Sequence, residues 1–501
     1  MTELLVVLVV GTPVAAGIAA WFTDARLCPR LALAGLGPAV VAGIALAVLV
    51  FVSGPQRAFE GLVAVDAFGA YALLLVLVVA TIAAAGSPAY LAHEAAAGAL
   101  RQRDSGHYYA LLAWFVAGLA AVPLVDNLGL VWVGIEATTI VSALLVGFRR
   151  TAQAIEAAWK YLILGSIGVG FALLGTLLVY ASSVGVLGET SDALAWTRLI
   201  EVAPRLDPSF VRLAFVFALA GYGTKAGLAP FHTWLPDAHS QAPSPISALL
   251  SGAALAVSLY ALARFHLVTA GTLGAGFSAT LLVVFGLLSL AVALPFLVAQ
   301  GDLKRLLAYS SIEHVGLATL ALGFGGHLAL LGFTLHLASH GLAKSTVFLA
   351  AGRLVAERGS HRIGRLTGSL ARSPANGRAL LVAALVLAGL PPSGIFAAEL
   401  AILFGGVETG WTLAAGLAAL LLALAVAGLL FHVVRVTAGP AGSVGEPGVA
   451  GLGRGPAPAA IAHALLLAVP LAVVVVAGLW TPSPVKAALE QVVGILGGGG
   501  G

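Results

Sequence analysis

The sequence predicts an all-α polytopic membrane protein with about 14 transmembrane helices. Three observations carry this. Of the 501 residues, 60% are hydrophobic and 9% charged, whereas an ordinary soluble domain carries about 25% charged residues. Apolar runs of bilayer-spanning length recur along the whole chain. Two of these runs are interrupted by prolines close to an ionisable residue.

Runs of about 20 apolar residues, bounded by charge or by Pro/Gly clusters, place the first spans at 4–22, 31–53, 64–85, 108–125, 127–147, 156–183 and 209–235. The later spans are expected at 245–271, 277–299, 302–324, 327–354, 378–408, 410–436 and 459–480. Very short turns, Asp126-Asn127 and Gly325-Gly326, separate the fourth from the fifth and the tenth from the eleventh. The N-terminus, Met1-Thr-Glu3, lacks the basic region of a signal peptide, so Leu4–Phe22 reads as a retained span. With both termini outside, 16 Lys/Arg fall in cytoplasmic loops and 6 in external ones, Arg212 and Arg264 among the latter. Such a bias is the positive-inside pattern. Lys160, Lys225 and Lys344 remain within spans.

The connections are small. Residues 355–377 are basic, 186–208 are polar, 438–458 read as a flexible Gly/Pro loop, and the tail 497–501 is expected to be disordered. One cysteine, Cys28, excludes an intrachain disulfide and a four-cysteine iron–sulfur site. No glycine fingerprint for a nucleotide stands in a polar context. No cofactor, resident metal or nucleic-acid partner is therefore expected, and no soluble catalytic domain.

The first interrupted run contains Lys225, followed by Pro230 and Pro236. A charge near the bilayer centre costs about 2.5–3.5 kcal/mol on insertion scales and is seldom kept without a use. Proline breaks at that depth are tolerated only beside protein or a water-filled cavity. The second interruption, Gly389-Leu-Pro391-Pro392-Ser-Gly394, lies five spans later and is followed by Glu399. Interrupted helices in corresponding positions are the sign of inverted repeats. The expected division is 1–107 for the first three spans, 108–271 and 272–436 for two five-helix repeats, and 437–501 for a loop, the last span and the tail.

Other ionisable residues fall within spans. Glu136 lies near the middle of the fifth. Lys160, four residues after Glu156, is suited equally to an ordinary helical ion pair and to tuning Lys225. His336, His340 and Lys344 recur every four residues and share one helix face; a row of histidines can relay protons. Glu313 and His314 are expected in the membrane in the tenth span, with Lys304 at its cytoplasmic edge as a possible flank anchor or modulator.

The run Thr224-Lys-Ala-Gly-Leu-Ala-Pro-Phe-His-Thr-Trp-Leu-Pro-Asp-Ala-His-Ser-Gln-Ala-Pro-Ser-Pro resembles the seventh-helix signature of the antiporter-like membrane subunits of respiratory complex I, Mrp antiporters and energy-converting hydrogenases. Trp132-Val-Gly-Ile-Glu-Ala-Thr-Thr, Glu156-Ala-Ala-Trp-Lys-Tyr and Ser311-Ile-Glu-His are similar to the hydrogenase-4 component F group. The resemblance implies a proton-pumping subunit in a bacterial or archaeal plasma membrane, without redox chemistry of its own, partnered by other membrane subunits. A Mrp-type Na⁺/H⁺ antiporter subunit or an ion-driven inorganic-carbon uptake subunit is the alternative. It further implies that Glu136 and Lys225 pair, that His336, His340 and Lys344 form a central hydrophilic axis, and that Glu399 is the last station. His232 joins the implied pathway, and Asp237, with Lys160 and Lys304, the possible modulators. The eighth span departs from the family pattern: between Ser251 and Tyr260 it has no lysine or histidine.

Overall fold

The computed structural model describes residues 1–24, 27–96, 98, 100, 104–440 and 457–498. Helices α1 (Thr2–Phe22), α2 (Cys28–Ser53), α3 (Ala67–Ala96), α4 (Asp104–Ala121), α5 (Leu128–Val146) and α6 (Ala152–Leu187) form the first six crossings. A short α7 (Trp196–Val202) precedes the broken seventh, α8 (Pro208–Ala226) and α9 (Trp234–Gln241). The eighth comprises α10 (Ser244–Leu249), a π turn (Leu250–Ala254) and α11 (Leu255–Leu273). Then come α12 (Ala275–Ala299), α13 (Leu303–Phe324) and α14 (Gly326–Arg358). After two one-turn helices, α15 (Ile363–Leu366) and α16 (Ser369–Arg372), the twelfth is split into α17 (Pro374–Leu387) and α18 (Gly394–Glu408). The last two are α19 (Thr412–Ala438) and α20 (Ala457–Leu479).

Among the described residues, 11 crossings are long and apolar enough to span a bilayer. The other three are the two broken ones and the polar α14, which brings the total to the 14 expected from sequence. The breaks at 227–233 and 388–393 lie five crossings apart, and an odd offset inverts the second repeat relative to the first. Each break contains a cis X-Pro peptide, Ala229–Pro230 and Pro391–Pro392. Helices α11 and α13 are buried nearly all round, whereas α6 and α12 keep an apolar outer face.

The ends of the chain meet one face of the bundle. Thr2 Oγ1 donates to Gln56 Oε1 (3.2 Å), and the Phe59 N–H to Glu3 (3.3 Å). Gln491 Nε2 donates to the Phe51 carbonyl (3.1 Å), and His327 lies 2.6 Å from Glu490. Thr2, Glu3, Glu490 and Gln491 thus lie on one side of the bundle, as an even number of crossings requires.

Several features differ from the sequence expectation. The α2–α3 connection holds a small antiparallel hairpin, β1 (Gln56–Ala58) and β2 (Val63–Val65). Residues 483–496, expected to precede a flexible tail, form a helix, α21 (Ser483–Leu496), which a proline in its first turn starts. At 14 residues it is too short to span, and it buries Val492, Val493 and Leu496 against α3 and α14. Arg212 and Arg264 are in helices rather than external loops. Arg264 is fully buried because Asp66 receives it through two hydrogen bonds (2.8 and 2.6 Å), Tyr260 OH lies 3.1 Å away, and the Trp196 ring packs 3.7 Å from the guanidinium. Nearby Asp126 accepts from Thr197 N–H (3.0 Å) and Oγ1 (2.5 Å). Burial pushes its carboxyl up from the ordinary range, against those two bonds. Most of the expected Gly/Pro loop (441–456), the end of the tail (499–501), and Arg26, Arg101, Arg103 and Arg454 lie outside the described residues.

Candidate functional site: two broken helices and a buried polar row

Lys225 sits in the last turn of α8, fully buried. The helix stops at Gly227, whose φ of +80° suits a residue without Cβ. The groups freed by the break are satisfied within the protein, as lipid surroundings demand. Trp234 Nε1 donates to the Thr224 carbonyl (2.8 Å), and the Ala229 N–H to Ser289 Oγ (2.9 Å). Lys225 Nζ donates to Thr139 Oγ1 (2.8 Å) and Tyr161 OH (2.5 Å), and Tyr161 OH is 2.7 Å from Ser142 Oγ.

Glu136 is not in direct contact with Lys225. It is half-buried and accepts from Ser166 Oγ (2.6 Å), its second oxygen being buried without a partner. No Glu136–Lys225 ion pair exists among the described residues. Thr139 comes one helical turn after Glu136 on α5 and occupies the lysine instead, so a band of hydroxyls separates the two charges.

Lys160 does not reach Lys225 either. It is half-exposed and bonds Glu156 (2.6 Å) and Asp237 (3.3 Å). Asp237 also receives Arg305 (3.0 Å), so this pair belongs to an ionic cluster at the rim. Lys304, expected at the membrane edge, is instead buried and donates to the Ala242 carbonyl (2.6 Å) at the α9–α10 hinge. Beside it, burial pushes the His361 imidazole down to about 4, with Lys304 and Arg149 adding to the effect. His361 is therefore neutral at pH 7, and its 4.0 Å contact with Asp302 is not an ion pair. His232, in the break, is buried with Nδ1 unpartnered.

The second half is built on α13 and α14. Lys344 Nζ donates to the Leu307 carbonyl (2.8 Å) and to Ser310 Oγ (2.5 Å). His314 brings its ring centroid to 5.1 Å from both His336 and His340, which are 6.1 Å apart. All three are buried, and both nitrogens of His314 and His336 and Nε2 of His340 are unpartnered. Glu313 is buried on the same helix as His314. Among the described residues no three His, Cys, Asp or Glu side chains are grouped to hold a metal ion. At the second break, Gly389 (φ +61°) faces Glu399: a Cβ there would stand 2.0 Å from its Oε2. The glycine is required by both the turn and the close approach.

Between the halves, His239 and Ser311 had no assigned role, whereas Ser251 belongs to the serines expected to carry a relay across the eighth span. His239 is fully buried, with Nδ1 3.0 Å from the Leu235 carbonyl and Nε2 unpartnered. Its ring lies 6.2 Å from Trp234 and 5.7 Å from Phe348 of α14. Ser251, in the π turn, is 2.8 Å from Ser311. The eighth crossing thus offers hydroxyls where a lysine or histidine was expected by resemblance, with His239 just ahead of it. His239 stands in the quoted Asp-Ala-His run, so that signal was available.

The pattern described as NADH:quinone oxidoreductase/Mrp antiporter, TM, matches residues 125–425. The chain is 41% identical over 361 residues to the hydrogenase-4 component F homolog of Methylacidiphilum infernorum, covering 72% of this chain and 74% of that one. Its fold is similar to a chain in the membrane-bound sulfane sulfur reductase, an archaeal respiratory membrane complex, with a TM-score of 0.82 and 22% identity over 98% of this chain and 97% of that one. It is also similar to a chain of respiratory complex I from Thermus thermophilus, with a TM-score of 0.74 and 26% identity over 96% and 98% of the two chains. A match over more than half the length, bracketing both breaks, places this multi-pass membrane protein in the NADH:quinone oxidoreductase/Mrp antiporter transmembrane family.

Proposed function

We propose that the chain is a proton-translocating membrane subunit of an energy-converting oxidoreductase assembly of the hydrogenase-4 or complex I type. Other membrane subunits are its partners, and the electron transfer to which it is coupled takes place in partner subunits. The observation that supports this most is the pair of buried lysines, Lys225 and Lys344, each hydrogen-bonded to hydroxyls. Buried histidines stand between and beyond them. Lysine, histidine and glutamate exchange protons, and hydroxyls pass them on, so the row suits H⁺.

In this reading 108–271 and 272–436 are two half-channels, with 1–107 and 437–501 flanking them. Glu136 acts on Lys225 across the Thr139–Tyr161 hydroxyls. The proton then passes by His239 and the Ser251–Ser311 contact towards Lys344, the three histidines and Glu313, and leaves at Glu399. His232 supplies a polar group inside the first break, while Lys160, Asp237 and Lys304 hold the hinge ends.

Glu399→Gln tests the exit. The amide keeps the shape but cannot exchange the proton, so proton uptake into vesicles carrying the assembled complex should fall to background while the subunit still assembles. Uptake at the native rate would sink the exit assignment. Orientation is tested separately. With both termini outside, reporter fusions within 358–375 should read cytoplasmic and fusions within 188–206 external. The reverse pattern would invert the protein.

A further inference from the structure

A partly open cavity of about 520 Å³ lies between the end of α3, the start of α10, the last third of α14 and the first half of α20. That is within the ~300–1,000 Å³ usual for ligand sites. It is on the bundle face opposite the termini, away from the polar row described above. Its walls are mainly apolar, with Ala89, Leu349 and Leu466 among them, and its polar side chains are Arg353, His93, His463, Tyr90 and Ser244.

Arg353 has no ion pair or hydrogen bond among the described residues. Glu357, one turn further along α14, would be its natural partner. That carboxylate is instead taken by Ser373 Oγ and Asn376 Nδ2, both at 3.0 Å to Oε1. Asn376 Oδ1 in turn meets His463 Nε2 at 2.9 Å. The guanidinium thus remains half-buried with no direct hydrogen-bond or ion-pair partner among the described residues, the Glu357 carboxylate acting on it only through space, and the Tyr90 hydroxyl is buried without a partner. An anion is the complementary ligand.

The floor is closed towards the α10 hinge. A Cβ on Gly352 would stand 2.0 Å from Ser244 Oγ, and one on Gly86 would stand 2.6 Å from Leu349. These close approaches pack α14 tightly against α10 and α3 along that side of the cavity. Arg353 lies five residues before the end of α14, about 7.5 Å along the axis, close to that end of the crossing. Beside the cavity, Ile461, Leu465 and Val469 form an exposed apolar ridge on α20. Basic pockets between transmembrane helices suit anionic headgroups.

We propose that this cavity binds an anionic phospholipid, with its phosphodiester on Arg353, assisted by His93 and Tyr90, and its acyl chains along the outer ridge of α20. The test is native mass spectrometry of the full chain in detergent, supplied with phosphatidylglycerol or phosphatidylcholine. The native chain should retain the anionic lipid preferentially. Arg353→Gln should lower that retention about tenfold, the scale of losing one charge-assisted hydrogen-bonding group. Ala462→Trp, which fills the cavity and keeps the arginine, should abolish it, with thermal melting confirming that both variants fold. Equal retention of the two lipids by the native chain, or unchanged retention in both variants, would overturn the proposal. A rise in melting temperature with inorganic phosphate alone, equal to that with phosphatidylglycerol, would assign the site to a free anion and overturn it as well.

Discussion

Lys225→Ala is expected to abolish most proton translocation while leaving the subunit assembled. The substitution removes a buried ammonium, and Tyr161 OH and Thr139 Oγ1 lose their donor. Tyr161 still has Ser142 at 2.7 Å, so no hydroxyl of that group is left stranded and folding should survive. Tyr161→Phe removes one bond to the lysine, of a kind that contributes about 1.5–3 kcal/mol, and should reduce the rate by tenfold or more. Glu136→Gln should also lower the rate strongly, and Glu136→Gln/Lys225→Ala should be little worse than either single change, because residues acting through one linked group are non-additive. The measurement is proton uptake in vesicles driven by the complex's own electron donor, with assembly followed in parallel. Native rates in the assembled single variants would make this cluster structural.

Asp66→Ala is expected to destabilise the fold by about 3–5 kcal/mol, the usual cost of removing one partner of a buried ion pair. Arg264 would remain fully buried with only Tyr260 OH and the faces of Trp196, Phe68 and Tyr260 around it. Asp66→Ala/Arg264→Met should recover most of the loss, since buried pairs can often be replaced by apolar groups at little net cost. Chemical or thermal denaturation in detergent reads both. A single variant as stable as the native chain would show that the pair contributes nothing to stability.

These two sites also show what the sequence could reveal. Membrane span length and the proline breaks are local signals, so the 14 crossings and both interruptions were legible. The four-residue spacing of His336, His340 and Lys344 put them on one face of α14 in advance. That His314 would join them depends on how α13 packs against α14, which no spacing records. Lys160 drew attention by its charge, yet its neighbour Tyr161 meets Lys225. Adjacent helical residues point about 100° apart, and only packing decides which one faces inward. Arg264 read as a loop residue because its partner, Asp66, is 198 positions away. Helix α21 was missed because a 14-residue amphipathic segment is too short for a span search and ends in a glycine tail.

The π turn at Leu250–Ala254 sets the phase of the eighth crossing. Such turns amount to one extra residue within an otherwise regular helix and often mark functional positions. Upstream, the crossing is held where Lys304 grips the carbonyl of Ala242. Downstream, it is held by the Arg264–Asp66 pair. Between them Ser251 must face Ser311. Without the extra residue, everything beyond the turn would rotate by about 100° relative to what precedes it. Arg264 would then point away from Asp66 whenever Ser251 met its partner. The inserted residue lets one helix serve two anchors of incompatible angular register, so in any chain sharing this arrangement, insertions and deletions here would have to come in compensating pairs.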